Sequence, residues 1–205
     1  MRLQITTDIF DYWNALRGEQ DAPLKSQIEP GAIPHLLSSL FILETEADRQ
    51  IRFRLAGTKI CDLFGHDLRG ERFSALWANG QNEDIEKTAK GVMDHAIPTL
   101  FNATGYSTAG HHAAFEIIMM PLRSPEGGCD RLLGAIAPAV AASWLEIVPL
   151  ELLALDRSRL LHDKFGRAAQ VEPRRPVEVA AEKHATFGQA VLRVMSHFLH
   201  GATAR

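Results

Sequence analysis

Between residues 99 and 140 the chain carries three apolar runs in close succession, 99–108, 113–122 and 132–140, with no room for a helix between them. The first break is Ala109-Gly110-His111, and the second, 125–130, holds Gly127-Gly128. Both carry residues suited to tight turns. Connections this short join only antiparallel neighbours, because a parallel crossover needs roughly a dozen residues or more. A three-strand antiparallel meander is therefore the part of the fold that everything else must fit.

The residues before it supply two further strands and their helices. The run 40–46 is apolar and ends in acids, and after a hairpin-sized connection Ile51-Arg52-Phe53-Arg54-Leu55 alternates strictly. Alternation predicts a strand with Ile51, Phe53 and Leu55 inward and the two arginines outward. Gly57 ends that strand, Thr58 can cap a short helix through Phe64, and Gly65 can close it. After a mixed stretch anchored by Leu68, Phe73, Leu76 and Trp77, the segment 82–96 reads as a longer helix. Its apolar stripe is Ile85, Ala89, Val92, Met93 and Ala96, and Pro98 stops it. Upstream, Asp8 is placed to cap a helix carrying Ile9, Phe10, Trp13 and Leu16, with Gly18 as its stop. The segment 20–29 reads as a loop, and 30–38 as a second short helix carrying Ile33, Leu36 and Leu37.

The order is two strands, helical crossover, three strands, which predicts an α+β domain built on one antiparallel sheet. Downstream, 143–161 is leucine-rich and open between strand and helix. The segment 166–176 reads as a linker, and 177–200 as a helix with a seam at Ala180, His184, Phe187, Val191, Val194 and Phe198. That seam can fold back on the sheet, or pair with a second copy or a partner helix. The expected division is a helical extension at 1–38, a core at 39–142, an apolar connector at 143–165, and a linker with an amphipathic helix at 166–205.

Composition narrows the function classes. The 205 residues carry 22 Lys and Arg against 25 Asp and Glu, a net charge of -3, which argues against a nucleic-acid surface. Two cysteines, far apart and without CxxC spacing, argue against a disulfide framework or a cysteine zinc site. The first ten residues lack an apolar run of signal-peptide length, and no stretch approaches about 18 apolar residues. The expectation is a cytoplasmic protein that does not engage a membrane.

Ordered short motifs then carry a resemblance. Phe53-Arg54-Leu55-Ala56-Gly57-Thr58 through Cys61, Phe64-Gly65, Leu68, Gly70, Phe73 and Leu76-Trp77 form its centre. Asp11-Tyr12-Trp13 with Leu16-Arg17-Gly18, Ile33-Pro34 with Leu36-Leu37 and Leu40-Phe41, and Leu132-Leu133-Gly134-Ala135 with Pro138 extend it. Together, over roughly residues 8 to 160, these segments resemble a bacterial family of stand-alone PAS-domain proteins, PAS family five. The resemblance implies a five-stranded antiparallel sheet whose concave face is covered by short helices and one longer helix. It also implies a non-enzymatic signalling module that senses a small ligand or binds signalling partners such as sensor kinases, as a dimer. A ligand-free dimeric scaffold is the alternative. In the ligand-sensing version, occupancy shifts the population of sheet and helix arrangements.

The cleft of such a domain would be lined by Phe53, Leu55, Trp77, Met93, Phe101, Phe115, Ile117 and Met119. The same residues equally describe a packed core. No cofactor is singled out. His95 is near the end of the longer helix, and the resemblance implies that haem-binding PAS domains carry an axial histidine on the corresponding helix, but the apolar stripe does not clearly include His95. Cys61 lacks the Asn-Cys-Arg-Phe-Leu surroundings of a flavin photosensor. Outside the resemblance, Gly105-Tyr106-Ser107-Thr108-Ala109-Gly110 nearly matches a nucleophile elbow, the basis of a third, serine hydrolase reading. The elbow requires a strand running into a helix, and here a strand pattern follows. His66-Asp67 and His111-His112 read as loop histidines rather than metal ligands.

Overall fold

The computed structural model describes residues 1–161. The linker and seam helix expected over 166–200 lie outside them. Three helices, α1 (Gln4–Arg17), α2 (Thr58–Phe64) and α3 (Asn82–His95), accompany six strands. The strands are β1 (Leu40–Thr45), β2 (Ile51–Ala56), β3 (Thr99–Ser107), β4 (His112–Arg123), β5 (Cys129–Pro138) and β6 (Leu150–Leu160). They form one sheet in the order β2-β1-β5-β4-β3-β6, with every neighbouring pair antiparallel.

The expected sheet had five strands; the observed one has six. The sixth is the leucine-rich stretch left open between strand and helix. Its periodicity is ambiguous because only its first half is packed. Leu150 and Leu153 are buried, whereas 156–160 are exposed.

Both faces of the sheet are covered. On one, α2, α3 and the turn Phe73–Leu76 pack over Phe41, Leu43, Phe53, Phe101, Phe115, Ile117 and Met119. On the other, Ile9 and Trp13 of α1 pack with Ile33 and Leu36 over Leu40, Ile118, Met120 and Leu133. Double coverage explains why β4 is buried continuously from Phe115 to Leu122 instead of alternating.

Two helical expectations change. The helix expected over 30–38 is replaced by 3₁₀ turns at Pro30–Ala32 and Leu37–Ser39. Pro34 is the reason: it lacks an N–H and drives Ile33 out of helical geometry, to φ -132° and ψ 46°. Helix α1 starts before Asp8, so Asp8 is not its cap. Glu116 of β4 performs that task. Its carboxylate accepts the backbone N–H groups of Arg2 at 3.0 Å and Leu3 at 3.3 Å, and the Thr6 hydroxyl. The Glu116 side chain, 3% exposed, thereby finds in the chain the hydrogen-bond donors that burial denies it from water.

Candidate functional site

Seven of the eight residues expected to line the cleft come together on the α2–α3 side of the sheet. Phe53, Trp77, Met93, Phe101, Phe115, Ile117 and Met119 are all buried in one cluster. Leu55 is the exception, 49% exposed on the opposite face. The register explains it: Ile42 pairs with Leu55 and Leu43 with Phe53, so Arg54 is a bulged residue. One inserted residue reverses the phase of alternation, turning Leu55 outward.

Within the cluster the aromatic rings form a continuous ladder. Phe53 meets Phe73 at 5.7 Å, Phe73 meets Trp77 at 5.8 Å, and Trp77 meets Phe101 at 5.7 Å, all edge-to-face. Phe41 adds contacts of 5.8 Å to both Phe53 and Phe73. These separations lie in the favourable range for aromatic pairs. Sequence reading omitted Phe41 and Phe73 from the lining. Phe41 was hidden because β1 is apolar on both faces and does not alternate.

Three contacts hold the helical cover on the sheet. Glu86 of α3 accepts the N–H of Ile51 at 3.1 Å. The Ala78 N–H donates to the Leu153 carbonyl at 2.8 Å. The Gln81 side chain imitates a strand partner: its carbonyl accepts the Leu155 N–H at 2.8 Å and its amide donates to the Leu155 carbonyl at 3.3 Å. One polar group in the ladder is unmatched, the buried Trp77 Nε1–H, which has no hydrogen-bond partner.

The remaining candidates fall outside this cluster. His95 is exposed at the end of α3. Ser107 ends β3 and its hydroxyl accepts the His111 N–H at 3.0 Å, closing a hairpin with Gly110 at φ 82°. A strand follows, so the geometry is a turn and not a nucleophile elbow. His111 stacks on Trp144 at 5.2 Å and His112 lies against Tyr106, so the two rings diverge. His66 is paired instead of solvated alone: Nε2 is 3.0 Å from Glu71 and Nδ1 2.9 Å from the Phe64 carbonyl. The bond to Glu71 raises its pKa above the ordinary value, against the opposing pull of desolvation. Cys61 is half-buried, its Sγ 3.9 Å from the Ala56 carbonyl. Burial pushes the Cys129 thiol up.

No curated protein matches the chain. Solved structures similar to it include a light-oxygen-voltage domain studied with a flavin analogue, at 18% identity and TM-score 0.43, covering 56% of this chain and 85% of that one. Another is the light state of the blue-light photoreceptor Aureochrome1 LOV, at 14% identity and TM-score 0.41, covering 55% and 89%. A third is a Rhodobacter sphaeroides LOV protein, at 11% identity and TM-score 0.42, covering 52% and 61%. The family model described as PAS domain matches residues 1–137, well over half of the chain and spanning α1 through β4 with most of β5. On that match, and with a single antiparallel sheet carrying its helices in the expected order, the chain belongs to the PAS domain family.

Proposed function

We propose that this chain is a non-enzymatic PAS signalling module that acts through protein contacts, as a homodimer and with signalling proteins such as sensor kinases, its core closed by its own side chains. The observation that supports this reading is the ring ladder from Phe41 through Phe53, Phe73 and Trp77 to Phe101. The volume where a sensor of this fold would hold a cofactor is filled by rings in mutual contact. Rings already in mutual contact leave little to gain from an added ligand, because its entry displaces contacts of equal quality. Apolar contact surface for a partner is available at Val140 and Ile147, 74% and 76% exposed in the segment between β5 and β6.

A ligand-sensing version is favoured by one specific observation, the buried Trp77 N–H without an acceptor. A molecule that opened the ladder and offered a carbonyl or ether oxygen there would satisfy it. Native mass spectrometry of freshly purified protein separates the two. The expected result is a clean multiple of the chain mass, which also reports the oligomeric state. Extra mass that is lost on denaturation replaces the closed-core reading with the ligand-sensing one, and a monomer removes the homodimer.

A further inference from the structure

The outer face of the sheet is roofed by α1 and the 3₁₀ turns over its centre, but at β2 apolar surface is left in water. Leu55 stands there beside its cross-strand partner Ile42. A cleft of about 460 Å³ opens at this point, lined by Ile42, Leu55 and Ala56 together with Lys25, Arg54, Asp67 and Arg69. That volume lies within the roughly 300–1,000 Å³ of small-molecule sites.

The charges around it are unevenly matched. Arg54 is engaged, its Nη1 3.1 Å from both carboxylate oxygens of Glu44. Asp67 accepts the backbone N–H of Arg69 at 3.0 Å. Among the described residues, the Lys25 ammonium and the Arg69 guanidinium have neither an ion pair nor a side-chain hydrogen bond. The loop carrying Arg69 is also fixed in place. The Gly70 N–H donates to the Phe53 carbonyl at 2.7 Å, and the Phe53 N–H donates to the Glu71 carbonyl at 2.9 Å. The cleft therefore combines an apolar floor, two cations and one carboxylate, Asp67, that are without an ion pair among the described residues, a net positive excess, and a tethered wall.

We propose that this cleft binds a small amphipathic anion, its carboxylate or phosphate head between Lys25 and Arg69 and its short aliphatic or aryl body over Leu55 and Ile42. Arg69 offers a planar fork suited to two anion oxygens, and Lys25 a point charge. The apolar body would take the exposed Leu55 out of water, which neither a free inorganic anion nor an uncharged chain does together with charge pairing. The site is separate from the ring ladder on the opposite face of the sheet, so it can be occupied while that core stays closed.

The test is an amide-shift titration of the ¹⁵N-labelled full chain with octanoate, octyl phosphate and 1-octanol. At least one of the two anions is expected to give saturable shifts at Lys25, Ile42, Leu55 and Arg69, and the tighter one identifies the head group. Octanol should give none that saturate. Leu55→Asp and Arg69→Glu should each weaken binding about tenfold or more, and Lys25→Glu serves if either variant fails to fold. The proposal is overturned if neither anion saturates by about 10 mM, if octanol matches them, or if the shifts centre on Trp77 and Phe101.

Discussion

Glu116 is the residue on which the most depends. It is a carboxylate at 3% exposure in the middle of a doubly covered strand, and α1 begins where it receives N–H groups. Glu116→Ala should cost about 2–3 kcal/mol in urea unfolding, since it removes the acceptor shared by Arg2, Leu3 and the buried Thr6 hydroxyl. Thr6→Val should cost less, and the double variant less than the sum, because both remove the same bond. Gly57 is a second such position for a steric reason: a Cβ there would overlap the carbonyl oxygens of Leu37 and Ser38. Gly57→Ala is expected to destabilise by about 3 kcal/mol, read from the denaturation midpoint, because the clash is with backbone that cannot swing away. Trp77→Phe tests the ladder. The substitution removes an N–H that has no partner but also leaves a cavity among rings in contact, so a net loss of about 1–2 kcal/mol in the thermal melt is expected.

At the level of elements, the loop 65–72 is held by a titratable pair. Both His66 ring nitrogens face acceptors, the Glu71 carboxylate and the Phe64 carbonyl, an arrangement completed only by the doubly protonated ring. Its folded pKa is raised from 6.5, so the pair's contribution is fully present below the unfolded value and is lost as pH rises through the folded one. The side chain is 50% exposed, so the effect is small. Between about pH 6 and pH 8 the wild type should lose slightly more thermal stability than His66→Gln, as measured by paired melts. Equal losses would dismiss the clamp. Helix α1 depends on Trp13, buried at 1% exposure with Nε1–H donating to the Pro121 carbonyl at 2.8 Å. Trp13→Ala should cost about 3–5 kcal/mol by urea melt and expose the outer face of β4 and β5.

For the whole molecule, β6 closes the sheet beyond β3 and is bonded to the helical cover through Ala78 and Gln81. A chain ending at residue 161 should unfold cooperatively. One ending at 149 should not, because it uncovers Trp77, Phe101 and Ala103, which a calorimetric scan of both would establish. Much of this architecture was legible in the sequence, and for local reasons. Tight turns at Gly110 and Gly127-Gly128 forced the meander, and the stripe from Ile85 to Met93 placed α3. Seven residues of the core cluster on the α2–α3 face were recognisable as inward-facing, most of them because period-two and helical spacing are written in consecutive residues. What escaped was whatever depends on residues distant in the chain. The bulge at Arg54 that sends Leu55 outward exists only in register with β1. The carboxylate that starts α1 arrives from more than a hundred residues away. The second half of β6 is a strand because β3 offers it an edge, not because its own pattern demands one. Local sequence determined β1 to β5, α2, α3 and their order, since hydrophobic period and turn chemistry act over a few residues. Tertiary structure alone decided where register breaks that alternation, as at Leu55, what starts α1, and which charges were left unpaired, since pairing register and burial are properties of segments that meet only in the folded chain.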